Sequence, residues 1–168
     1  MESVRKSLWN EDFFEDPRSG SGETYQQILI EQYKICIEMA DRVSARRSVA
    51  NTFFLSLNTL VVTVLTAVLK GQQGQFSFFA LFPGFLILLI SCLAWYMMVR
   101  SYRLLNGAKF LVIGALEERL PASPYWRAEW AALGEGKNWR LYLPLSHIEQ
   151  WVPLAFAASY LAGFIALM

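Results

Sequence analysis

Charge is scarce in this sequence, and so are histidine and cysteine. Only 17% of its residues are charged, and the 15 basic side chains nearly cancel the 14 acidic ones. A disordered chain would be rich in charge and poor in aromatics; here aromatics make up 15%. Two cysteines cannot build a disulfide framework. A net charge of +1 argues against a nucleic-acid binder, so no direct nucleic-acid partner is expected. One histidine, His147, cannot anchor a metal site without other ligands, and Cys36 and Cys92 are too dispersed to supply them. No catalytic residue, cofactor or metal is expected. A cleaved leader is not expected either, because the first 47 residues are polar and charged.

What the chain has instead is long uncharged runs, at 48–69, 71–99 and 150–168. A helix needs about 20 apolar residues to cross the hydrocarbon layer. The expected fold is all-α, with three transmembrane helices in a multi-pass membrane protein. Seven Lys and Arg precede the first run, seven lie between the second and third, and Lys70 alone sits in the short connection. Basic residues stay on the cytoplasmic side. The N terminus and residues 100–149 are therefore expected inside, and the C terminus outside.

The domain reading follows from punctuation. Residues 1–22 read as a flexible N-terminal arm. Within it Leu8, Trp9, Phe13 and Phe14 form an apolar cluster suited to local packing or to docking. Residues 23–168 read as a single membrane domain. Residues 23–69 contain no Pro and no Gly, so one helix of about 70 Å is expected at 1.5 Å per residue. Its first half would lie in the cytoplasm, with Glu38 and Arg42 as an i,i+4 pair. Residues 78–120 carry the second span and its cytoplasmic extension. That extension is apolar on more than one side, which leaves surface for another subunit. Residues 121–149 form a connector crowded with Trp and Tyr, suited to the headgroup layer or to packing on the helical base. Residues 150–168 form the third span. Glu117 and Glu118 close the second long helix, where acids are unfavourable, so a basic partner is expected for them.

The first span carries the most informative pattern. Its polar residues Ser48, Asn51, Thr52, Ser56, Asn58, Thr59, Thr63 and Thr66 fall within an arc of about 160° at 100° per residue. Two readings stay open. Several copies could turn this face to a water-filled lumen. Alternatively, Ser, Thr and Asn could join helices at roughly 0.6–2 kcal/mol each. Leu55 and Val62 lie inside the arc and suit a hydrophobic constriction that gates by dewetting. The candidate pore-lining or inter-helix face is thus Asn51, Thr52, Leu55, Asn58, Thr59, Val62, Thr63 and Thr66. A weaker candidate is the pair Arg140 and His147. Its R-x6-H spacing loosely resembles the pair of HEPN ribonucleases, though Pro144 interrupts it.

Finally, the run 38–47, followed by Ala50-Asn51-Thr52-Phe53-Phe54-Leu55-Ser56-Leu57-Asn58-Thr59, resembles the RipA-like family of small bacterial inner-membrane proteins. Tyr102-Arg103, Leu105-Asn106, Lys109-Phe110, Glu117, Leu120-Pro121 and Ile148-Glu149 are similar to the same pattern. The resemblance spans roughly 25–160. It implies a ring-shaped homo-octamer in the bacterial inner membrane. It also implies a distant relation to the accessory membrane pore protein of type VI CRISPR systems. The function so implied is a pore that permeabilises or depolarises the membrane in antiphage defence, alone or with a cytoplasmic defence partner. The alternatives are a non-conducting scaffold and, further off, a membrane-attached RNase.

Overall fold

The computed structural model describes residues 2–10, 22–71, 78–137, 142 and 145–166. Their regular structure is entirely helical. In chain order the elements are α1 (Glu2–Leu8), α2 (Gly22–Gly71), α3 (Phe78–Glu117), a π-helical turn (Pro124–Glu129), α4 (Trp130–Ala132), a tight turn (Gly134–Gly136) and α5 (Leu145–Ala166). Among the described residues three helices are long and apolar enough to cross a membrane: Gly22–Val68, Phe82–Glu117 and Ile148–Ala166.

The length of α2 follows from its composition, since no interior residue removes a donor or frees the backbone. Each of α3 and α5 contains one proline, Pro83 and Pro153. A proline deletes one backbone hydrogen bond, a loss that neighbouring helices make tolerable within a membrane. α5 begins at Leu145, five residues before the third uncharged run.

The chain divides into two compact units. The first comprises residues 1–44 and 104–143, the second 45–103 and 144–168. In the second unit, segments of α2, α3 and α5 pack around Phe54, Trp95 and Val99, with Val152 and Phe156 against them. Phe54 and Trp95 stack with centroids 6.0 Å apart, and Trp95 meets Phe156 at 5.8 Å. The outer surfaces stay apolar: Phe53 and Leu60 on α2, Ile90, Leu93 and Met97 on α3, and Leu161 and Ile165 on α5 are all exposed. Such a surface is far beyond what a water-soluble monomer carries, and a bilayer covers it at no hydrophobic cost.

In the first unit, Leu29, Ala40, Val43, Ile113, Ala115 and Leu116 are buried. The expected pair forms, with Arg42 Nη2 donating to Glu38 Oε1 at 2.6 Å. Lys34 pairs separately with Glu31 at 2.8 Å. Leu104 and Leu105 stay exposed. Connector aromatics pack on the helices of this unit, Trp126 lying against Gly114. From the arm, Leu8 and Trp9 pack locally, while Phe13 and Phe14 lie outside the described residues.

The expectation of a basic partner for both acids at the end of α3 needs correction. Glu118 pairs with Arg5. Glu117, only 1% exposed, is instead held by neutral donors. Ser123 Oγ donates to Oε2 at 2.6 Å and the Trp126 amide at 2.9 Å; Tyr33 Oη donates to Oε1 at 3.0 Å and the Tyr125 amide at 3.1 Å. The chain reverses after α3 and aims the free amides of the following helical turn at the carboxylate. Such amides lack intrahelical partners and favour an anion, so no cation is required.

Candidate functional site

The polar arc of α2 is divided by its own geometry. At 100° per residue, Asn58 and Asn51 mark one edge of the arc, and the threonines occupy its middle and far side. The Asn edge faces the other helices of the second unit. Asn58 is 0% exposed. Its Nδ2 donates to Phe54 O at 2.8 Å and to Ser91 Oγ at 3.1 Å. Its Oδ1 accepts from Tyr160 Oη at 3.2 Å and from Cys92 Sγ at 3.7 Å. One side chain thus joins α2, α3 and α5. Asn51 Oδ1 accepts from Trp95 Nε1 at 2.9 Å. Every polar atom of the Asn58 carboxamide is engaged, which a water-poor interior demands.

Thr52, Leu55, Thr59, Val62, Thr63 and Thr66 are all exposed. The four threonine hydroxyls donate to the carbonyls four residues earlier: Thr52 to Ser48 at 3.1 Å, Thr59 to Leu55 at 2.9 Å, Thr63 to Thr59 and Thr66 to Val62 at 2.8 Å each. Their donors are thereby satisfied, while their oxygens keep the capacity to accept a hydrogen bond. Between this stripe and α5 runs an open groove of about 410 Å³, which also takes in Ala155, Phe156, Ser159 and Tyr160. The groove is polar at Thr59, Thr63 and Ser159 and apolar at Val62, Ala155 and Phe156. It can accept a helix, a lipid chain or a file of water.

Where the three helices meet charged sequence, they are tied by ionic and polar contacts. Arg103 Nη1 donates to Gln150 Oε1 at 2.8 Å. Arg47 Nε lies 3.2 Å from Glu149 Oε2; that oxygen makes no hydrogen bond among the described residues, so the contact is coulombic rather than aligned. Sequence reasoning missed both contacts, the burial of Ser91 and the inward bond of the half-buried Tyr160, because none shows a local spacing. Of the weak nuclease-like pair, Arg140 and the His147 side chain lie outside the described residues. Among the described residues no three His, Cys, Asp or Glu side chains gather as a metal-binding group.

The first unit holds the Glu117 site, beyond Arg100 and Arg103, which end the uncharged part of α3. Burial pushes the Glu117 carboxyl up, but the bonds from Ser123, Trp126, Tyr125 and Tyr33 outweigh it and hold it below its ordinary value. Tyr33 is shifted upward by burial and by the Glu117 charge beside it. Both shifts keep the pair as carboxylate and neutral phenol.

Three apolar helices tied by an internal polar knot, with lipid-compatible outer faces, define an all-α multi-pass membrane protein. The octameric membrane protein family (8xMP) matches residues 30–168, and this chain belongs to that family. Comparison with curated proteins and with solved structures returns no match.

Proposed function

We propose that this protein is a subunit of a ring-shaped bacterial inner-membrane octamer that permeabilises or depolarises the membrane when triggered, in antiphage defence of the CRISPR-associated kind. The N terminus is cytoplasmic in this reading and the C terminus periplasmic, as the distribution of Lys and Arg favours. The defence role rests on the resemblance of residues 38–59 to the RipA-like family, and one observation carries the pore. The Thr52–Thr66 stripe stays uncovered after the chain has used Asn51 and Asn58 to hold its own helices together. In a ring of copies that stripe lines the axis. The accepting oxygens of the exposed threonines meet water, and Leu55 and Val62 supply the apolar constriction that keeps the path closed.

The test is flux through vesicles reconstituted with a Leu55→Ser, Val62→Ser background, in which the apolar constriction is opened. Thr59→Leu with Thr63→Leu should reduce dye leakage or depolarisation at least tenfold while the assembly keeps its size. Thr59→Ser with Thr63→Ser should conserve it. Unchanged flux in the leucine variant overturns the reading. Asn58 is unsuitable as a probe, because replacing it perturbs the bundle itself.

A second reading, a non-conducting scaffold that recruits a cytoplasmic defence protein, is favoured by the same hydroxyls. Each already donates to its own helix, so the stripe tolerates a neighbouring helix or lipid without water. A scaffold would be indifferent to the leucine pair.

A further inference from the structure

Residues 2–9 lie as a strap on the first unit. The Trp9 ring lies beneath the Arg119 guanidinium, whose Cζ is 3.5 Å from the ring centroid, a cation–π contact. Arg119 Nη1 donates in turn to Tyr25 Oη at 2.9 Å, so the cation is held in place by the unit itself. Arg5 pairs with the adjacent Glu118. Leu8 and Trp9 close one side of a cleft of about 100 Å³ whose other walls include Tyr25, Ile28, Leu29 and Gln32. Leu29 at its floor is 2% exposed.

The two sides of this contact are unequal. The receiving side is closely hydrogen-bonded. The Glu118 amide donates to Gly114 O at 3.3 Å and the Arg119 amide to Leu116 O at 3.1 Å, and Glu117 next to them is fastened by four donors. The strap is lightly held. α1 buries none of its residues, and its ion pair uses an Arg5 side chain that is 49% exposed, where water and salt screen it. The strap precedes the family match, which begins at residue 30, as do Tyr25, Ile28 and Leu29 of the seat, whereas Glu118 and Arg119 lie within it. A closely bonded seat with a lightly held occupant is an exchangeable pair.

We propose that this seat is a peptide-binding site. It takes a short linear segment of a partner protein that presents a cation to Glu118, an aliphatic side chain to Leu29 and Ile28, and an aromatic face to Arg119. That is the arrangement of Arg5, Leu8 and Trp9, which occupy the seat in cis until such a segment competes. The tether gives the strap a high effective concentration, so a partner displaces it best by engaging several copies of an oligomer at once. The proposal is independent of whether the assembly conducts.

The probe is a fluorescently labelled peptide of residues 2–10, added to the full-length protein in nanodiscs. The seat is vacated by Leu8→Ala with Trp9→Ala, or in a second variant by deleting residues 2–10. Each vacated protein should bind the peptide saturably and at least tenfold more tightly than the intact chain. Adding Arg119→Ala should abolish binding, as should a peptide carrying Trp9→Ala, with helicity and assembly size unchanged. Equal binding to intact and vacated protein, no binding to either vacated form, or binding that survives Arg119→Ala would overturn the proposal.

Discussion

The Tyr160 hydroxyl reaches the Asn58 carboxamide oxygen at 3.2 Å, across 102 residues of chain. The same amide donates to Ser91 at 3.1 Å, so one buried polar group sets the spacing of three helices. Asn58→Leu strands the Tyr160 and Ser91 hydroxyls at about 0.6–2 kcal/mol for each lost bond. A clear fall in melting temperature of the detergent-solubilised protein is expected. Tyr160→Phe removes one donor and should cost less. Equal melting temperatures for Asn58→Leu and wild type would refute the role.

Glu117 predicts an acid response confined to the first unit. Its folded pKa lies below the ordinary value of 4.5. The stability it contributes is therefore fully present above 4.5 and lost as pH falls through the folded value. Protection of the Tyr125 and Trp126 amides, measured against their intrinsic exchange rates, should fall over that acid range. Glu117→Gln should exchange faster at neutral pH, at a cost of about 1–3 kcal/mol for donors left facing an NH₂, and should lose the acid step. An acid profile identical in the two proteins would contradict this.

Two glycines allow close approach, and their tolerance should differ. A Cβ at Gly114 would lie 2.7 Å from Trp126 Cδ2, within a rigid ring. At Gly84 it would lie 2.5 Å from Leu65 Cδ2, the tip of a flexible side chain. Gly114→Ala should destabilise by about 1–3 kcal/mol and displace Trp126, measured as a shift in its near-ultraviolet circular dichroism. Gly84→Ala should be accommodated by rotation of Leu65, and a melting temperature lowered as far as in Gly114→Ala would count against that.

Arg47 and Glu149 form a pair whose side chains are 17% and 25% exposed. Removing either partner leaves the other charge poorly solvated. Arg47→Ala and Glu149→Ala should each destabilise, and the double variant should cost less than the two singles combined, by about 0.5–3 kcal/mol. Strict additivity in a double-mutant cycle would show that the proximity carries no coupling.

The sequence was least informative where partners are remote. The arc of eight polar residues on α2 is a property of helical period, but its rotation toward Trp95, Ser91 and Tyr160 is not. Those residues lie 33 to 102 positions further on. Charge arithmetic likewise assigned Glu117 a cation. Its real partners are a phenol 84 residues earlier and the amides of a turn that exists only once the chain reverses.

By itself the sequence determined that the chain is helical and that three of its described helices are long and apolar enough to cross a membrane. Span length, the absence of charge and the lack of helix breakers are local quantities, and a bilayer tests them one segment at a time. Only the tertiary structure decided which edge of α2 turns inward, what satisfies Glu117, and where Trp9 rests. Each of these depends on a polar or aromatic group meeting a partner distant in sequence. Such meetings are set by the close packing of whole helices, which no local pattern encodes.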